Sequence, residues 1–240
     1  MEHTEGCLLC GAPLVYQQGN IQKNCAVCGK SYPANVWCEN GHYICDECHS
    51  TPAISVIRQT CMEEGRKEAA VSPILLANEL MKHSAIKMHG PEHHFLVPAV
   101  LLTAAASISE RQDELPVLLE LAASRAKNVL GGFCGYYGAC GSAVGAGIFM
   151  SVWTDATPLS DESWADANEM TSRCLHRIAQ NGGPRCCKRG TYTSITTAVQ
   201  FANQKLGLAI PLPERIFCLY SARNRECKKE ACPFYPNNNV

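Results

Sequence analysis

Beyond residue 50 the apolar residues recur at helical spacing, and no stretch alternates at the two-residue period of a strand. Ser72 and Pro73 form a cap and first-turn proline that open a helix with a core stripe of Ile74, Leu75, Leu80 and Met81. Gly90-Pro91 breaks the chain before a second helix through Phe95, Leu96, Val100 and Leu101, where Pro98 comes early enough to be tolerated or to kink it. Asp113 is expected to cap a third helix, Leu115 to Leu130, which Gly131-Gly132 ends. From Cys140 to Trp153 the small residues Gly141, Ser142, Ala143, Gly145, Ala146 and Gly147 leave one side nearly bare. Interior helical glycines cost about 1 kcal/mol each relative to Ala, so a neighbouring backbone should approach closely there. Ser160 is expected to cap a helix from Asp161 to Gln180, and the last long helix spans about Tyr192 to Leu206. The tail from Pro211 shows no clear period.

The first fifty residues follow another logic. Cys7-x2-Cys10, Cys25-x2-Cys28, Cys38-x3-His42 and Cys45-x2-Cys48 supply eight soft ligands, and two knuckles read C-x-x-C-G. So short a segment cannot bury enough apolar surface to offset its own ordering, so a metal must supply the difference. Thiolates with one imidazole, four donors to an ion, suit two structural zinc ions. Sequential filling would leave a two-residue loop between His42 and Cys45. The string C-x3-H-x2-C-x2-C resembles the middle of a cross-braced RING-type module, which implies an interleaved set: Cys7, Cys10, Cys38 and His42 on one ion, Cys25, Cys28, Cys45 and Cys48 on the other. The pattern therefore predicts a mainly α protein: a zinc-ribbon or cross-brace-like module over 1–50, a short helix and linker over 51–71, and a cysteine-rich helical bundle over 72–240.

Charge removes some function classes. The 240 residues carry a formal net charge of -1, and the zinc segment sets Lys23 and Lys30 against Glu2, Glu5, Glu39, Asp46 and Glu47. A ribbon that reads nucleic acid usually presents a basic face, so no nucleic-acid partner is expected. The apolar stretches Phe95 to Ala106 and Ala139 to Trp153 are too short for a bilayer, and the start lacks the charged, apolar and cleavage regions of an export signal. A cytoplasmic setting is expected, where sixteen cysteines read as metal ligands or reactive thiols rather than disulfides.

Nine cysteines remain outside the zinc set. Cys61 and Cys174 sit at helical spacing and read as core residues. Cys134, Cys140, Cys186 and Cys187 lie at glycine-flanked helix boundaries, where unpaired amides and the helix dipole favour thiolate. They are expected to form a cofactor site, with Cys218, Cys227 and Cys232 as further cofactor ligands, standing between a third metal site and an ordinary tail. Cys232-Pro233 resembles the Cys-Pro that ends many iron–sulfur ligand sets, at a spacing that matches no standard ferredoxin. His93 and His94, beside His89, point about 100° apart on a helix and are candidates to assist Cys186 and Cys187 as catalytic groups. Arg185 and Lys188 read as solvated charges.

Gly90-Pro-Glu-His-His-Phe, the run from Gly131-Gly-Phe-Cys to Val144-Gly-Ala-Gly-Ile, Gly183-Pro-Arg-Cys-Cys-Lys-Arg and the closing Cys-Pro-Phe-Tyr-Pro resemble DUF5714, a prokaryotic family of unknown function. The resemblance implies companionship with radical-SAM or methyltransferase proteins. This chain has neither a Rossmann glycine loop nor a C-x3-C-x2-C triplet, so such a partner would supply that chemistry. Cys140-Gly-Ser-Ala-Val-Gly-Ala-Gly is more distantly similar to the C-GCAxxG-C-C family, named as redox-active, which implies a cysteine-built site between helices. The expectation is a zinc module joined to a redox or iron–sulfur site serving electron, sulfur or thiol-group transfer. The alternative is a zinc-organised adaptor without catalysis.

Overall fold

The computed structural model describes residues 6–239, so the outer ends of the expected 1–50 and 72–240 segments lie outside the described residues. The N-terminal module is an antiparallel hairpin of β1 (Leu14–Asn24) and β2 (Ser31–Cys38). It is paired from Leu14↔Cys38 to Asn24↔Ser31, with a register shift between Tyr16 and Ile21. The second knuckle is its turn. Cys25 N donates to Lys30 O and Gly29 N to Cys25 O, both at 2.8 Å, and the first knuckle repeats this with Ala12 and Gly11. Gly11 and Gly29 sit at φ +70° and +72°, the left-handed geometry that glycine takes without strain.

Eight α-helices follow among the described residues: α1 (Asp46–Gly65), α2 (Pro73–Lys82), α3 (Glu92–Ser107), α4 (Leu115–Ala126), α5 (Phe133–Tyr136), α6 (Gly141–Trp153), α7 (Glu162–Asn181) and α8 (Cys187–Leu206). The mainly α architecture behind a small cysteine-bound hairpin is the expected one. Helix α3 is its axis. Every residue from Glu92 to Ala106 is buried, because α1, α2, α4, α6 and α8 surround it. Helix α6 lies against α3 on one side and α7 on the other. None of these helices is long and apolar enough to cross a membrane.

Element bounds depart from expectation where side chains outside the apolar pattern decide them. Helix α1 starts at Asp46, ahead of the expected 51, with Cys45 as its cap and Ala53, Ile57 and Cys61 in the common core, so most of the expected linker is continuous helix. In α2, Leu76 is buried and Leu75 is 61% exposed, since Leu75 stands 100° round from the face that Ile74, Ala77 and Met81 present inward. Asp113 does not cap α4; it lies in a 3-10 turn, Gln112–Glu114. Helix α4 ends at Ala126, and the next residues tighten into turns that present the Val129 carbonyl to His94. Asp161 rather than Ser160 precedes α7. Helix α8 begins at Cys187, five residues before the expected Tyr192, because the Cys186 thiol caps it by accepting from Arg189 N at 3.4 Å.

Candidate metal and thiol sites

The hairpin brings its eight donors into two groups. Cys7, Cys10, Cys38 and His42 form one, Cys25, Cys28, Cys45 and Cys48 the other, each with all ligand atoms within 4.8 Å of one another. This is the interleaved grouping. Cys10–Cys38 and Cys28–Cys45 are 3.9 Å apart, and His42 Nδ1 stands 3.4 Å from Cys10 Sγ and 3.8 Å from Cys7 Sγ. Sulfurs about 2.3 Å from a tetrahedral ion stand roughly 3.8 Å apart, so the spacing fits one ion per group. Amides aim at the sulfurs: Leu9 N to Cys7 and Val27 N to Cys25 at 3.4 Å, His42 N to Cys38 at 3.3 Å. The Ala12 amide, Asn40 and His42 bring the Cys10 thiol down to about 6. Burial pushes Cys25 up, but the amides of Cys28, Cys45 and Val27 outweigh it and bring that thiol to about 6 as well. The neighbouring Cys45 thiol, with burial, pushes Cys48 up to about 12. Such donors cannot all be thiolates beside one another without a cation between them, and two metal ions fit the set.

The module is fastened to the loop ahead of α6. Gly131 N donates to Asp46 Oδ2 at 2.7 Å, Lys127 pairs with Glu47 at 2.9 Å, and Tyr136 OH donates to Gln17 O at 3.2 Å. Arg185 donates to the Tyr16 hydroxyl and stacks over its ring at 5.2 Å. Buried Glu92 stands 3.7 Å from His49, the residue after Cys48.

The seven remaining candidate cysteines gather around the start of α8, in two directions. Cys187 looks toward Gly90, Cys140 and Arg185; its sulfur is buried, which pushes the thiol up to about 12. Its amide donates to His89 Nδ1 at 3.5 Å, and His89 Nε2 meets Glu226 at 3.2 Å. Cys140, the residue before α6, is raised by burial and has exposed Cys134 as neighbour. Cys186 turns the other way. It accepts from Arg189 N and Asn224 Nδ2, both at 3.4 Å, and lines a pocket with Cys218, Cys227 and Cys232. Cys134, Cys140, Cys186 and Cys187 are therefore not one tight ligand set. Among the described residues only the two hairpin groups hold three or more donors mutually within 4.8 Å.

His93 and His94 also part. His93 is wholly buried, with Nδ1 3.1 Å from Thr191 Oγ1 and Nε2 3.2 Å from Lys87 O, and burial holds it well below the usual imidazole range. His94 Nδ1 donates to Val129 O at 2.7 Å, which leaves Nε2 the acceptor. Its ring fills the space where a Cβ on Gly141 would stand, 2.2 Å from Nε2, so it seats against the start of α6 beside Cys140. Lys188 is not solvated as expected. It is 1% exposed, donates to Lys87 O at 2.8 Å and lies 4.9 Å over the Tyr220 ring, and burial brings it down to about 8. Cys61 and Cys174 are core residues, as their spacing indicates; burial pushes both thiols up to about 12. Sequence reasoning missed the pairing of His89 with Glu226, since 137 residues separate them and only the tail's return brings them together.

No curated protein and no solved structure matches the chain. The sequence pattern described as "Family of unknown function (DUF5714)" matches residues 57–235, beginning inside α1 and leaving out the eight hairpin donors. That match covers most of the chain and nearly all of the bundle with its seven clustered cysteines, and the protein belongs to the DUF5714 family.

Proposed function

We propose that this is a cytoplasmic metal–thiolate protein in which two zinc ions hold the hairpin and the helical domain carries an iron–sulfur-type centre. In this reading it serves electron, sulfur or thiol-group transfer for a radical-SAM or methyltransferase partner. The carrying observation is the convergence of seven cysteines from three distant segments on the first turn of α8. Buried thiols with raised pKa values are poor free nucleophiles, so burial at this density favours coordination over thiol chemistry. An iron–sulfur centre would supply one-electron chemistry, and the chain's part is to shield it and set its charge. Cys134, exposed beside Cys140, is the natural contact for a thiol-bound group.

Anaerobic purification should give a brown protein with visible charge-transfer absorption, iron and sulfide, besides two zinc ions. A colourless protein holding only zinc after anaerobic reconstitution with iron and sulfide overturns this reading. It would favour the adaptor alternative, which draws support from the hairpin's outward-facing Leu9, Leu14, Ile21 and Val27, each at least 40% exposed.

A further inference from the structure

The tail after α8 is held by a few apolar contacts, chiefly Ile210, Tyr220 and Phe234 on the core. From Gly207 to Tyr235 it has only two 3-10 turns of three residues each, Ser221–Arg223 and Lys229–Ala231, yet Tyr220 is 2% exposed and Asn224 and Cys232 are 8% exposed. About thirty residues with so little regular structure lose much entropy on ordering, which a cross-link would offset. No disulfide supplies one.

We propose that Cys186, Cys218, Cys227 and Cys232 are the four thiolate ligands of a further metal centre that staples the tail onto the start of α8. They share one pocket. Tyr220 N donates to Cys218 Sγ and Lys229 N to Cys227 Sγ, both at 3.4 Å and both from two residues downstream. That is the bond Leu9 and Val27 make to Cys7 and Cys25 in the hairpin knuckles, again at 3.4 Å. Amides placed on sulfur in this way serve a thiolate acceptor and orient it for a metal. Cys186 receives two such bonds, one from Arg189 N and one from Asn224 of the tail itself.

The charges agree. Lys188 and Arg189 line the same pocket, 1% and 7% exposed, and among the described residues neither has a carboxylate within salt-bridge distance, though buried Glu92 acts on Lys188 from farther off. Lys188 binds a backbone carbonyl and a tyrosine face, and Arg189 binds the carbonyls of Gly182 and Pro184. Four thiolates around a divalent ion or an oxidised four-iron cluster carry a net negative charge of about two, which two buried cations offset. No three of these sulfurs lie mutually within 4.8 Å, against 3.9 Å between paired hairpin sulfurs. Thiols so spaced can draw in on a single ion or reach the separate iron atoms of a cluster. This assignment deepens the reading above and rests on it for the redox role, while a site filled by zinc would stand without it.

The test uses the full chain, purified anaerobically and reconstituted with ferrous iron and sulfide, with zinc, iron and sulfide counted per chain. Cys227→Ser and, separately, Cys186→Ser should lose all iron and sulfide while keeping two zinc ions and the helical circular dichroism. Cys134→Ser and Cys187→Ser should keep the iron. If instead a third zinc disappears in the first pair of variants, the site stands and the redox reading falls. If the iron is lost from Cys134→Ser and Cys187→Ser but retained by Cys227→Ser, this assignment falls and the redox reading survives. Two zinc ions and nothing more overturns both. A measurement that needs no variant is tryptic cleavage at Arg215, Arg223 and Arg225, expected to be slow in the loaded protein and fast after metal removal; cleavage indifferent to metal also sinks the staple.

Discussion

Replacing Gly145 by alanine tests the helix contact that sets the bundle's centre. Pro98 has no N–H, so the His94 carbonyl one turn earlier in α3 loses its intrahelical donor. Helix α6 comes up against that carbonyl with Gly145. A Cβ there would stand 2.7 Å from His94 O, 2.9 Å from Pro98 Cδ and 3.4 Å from Val97 Cβ. The first is a backbone atom in a helix buried all round, so the strain can be relieved only by moving α6 off α3. Overpacking of this kind costs about 1–3 kcal/mol. The better helix propensity of alanine returns up to about 1 kcal/mol. The expected net loss is on the order of 1–2 kcal/mol, a fall in Tm of roughly 2–8 °C for a chain of this size. Gly135→Ala is the control, because α5 leaves open space around that position and only the propensity gain applies. Thermal unfolding by far-ultraviolet circular dichroism reads both. A Gly145→Ala protein that melts at or above the wild-type temperature, alongside a neutral Gly135→Ala, refutes the close approach.

Two further outcomes are expected. Removing metal from the hairpin with a strong chelator should abolish its cross-strand order and fray the first turn of α1, while most helical signal persists because Ala53, Ile57 and Cys61 hold the helix in the core; a full collapse of the helical dichroism would contradict this. Cys61 and Cys174 ionise near 9 when unfolded and near 12 in place, so their burial stabilises fully below pH 9, and that contribution is lost as pH rises from 9 through 12. Each thiol then costs on the order of 1.4 kcal/mol per pH unit in that window, and Cys61→Ala should flatten the decline in urea-measured stability; an unchanged slope rules out the thiol as its source.

The hairpin donors were legible because metal ligation fixes spacing as strictly as a turn does. The helices of the bundle were legible from their period, including α3, whose unbroken apolar run needs a partner on every side. The start of α8 was not, because a thiol took the capping role that serine or aspartate usually fills. Nor was the divergence of Cys186 and Cys187. Neighbours at a helix start differ in role: Cys186 is the extended cap residue and Cys187 the first helical one, so their sulfurs leave on different sides. The burial of Lys188 depends on Tyr220, which returns from an aperiodic tail that pattern reading could not place.

Helix α1 carries Cys48 near one end and Cys61 near the other, twenty residues and about 30 Å of rod with Pro52 between the hairpin and the core contacts. The hairpin thus follows α1, which can bend at Pro52. Whatever meets Leu9, Ile21 and Val27 meets them at a bearing dictated by where α1 enters the bundle, and loading the second hairpin site clamps that bearing at its root. A signal that loosens the metal would be felt first as a change of angle, long before any helix melts.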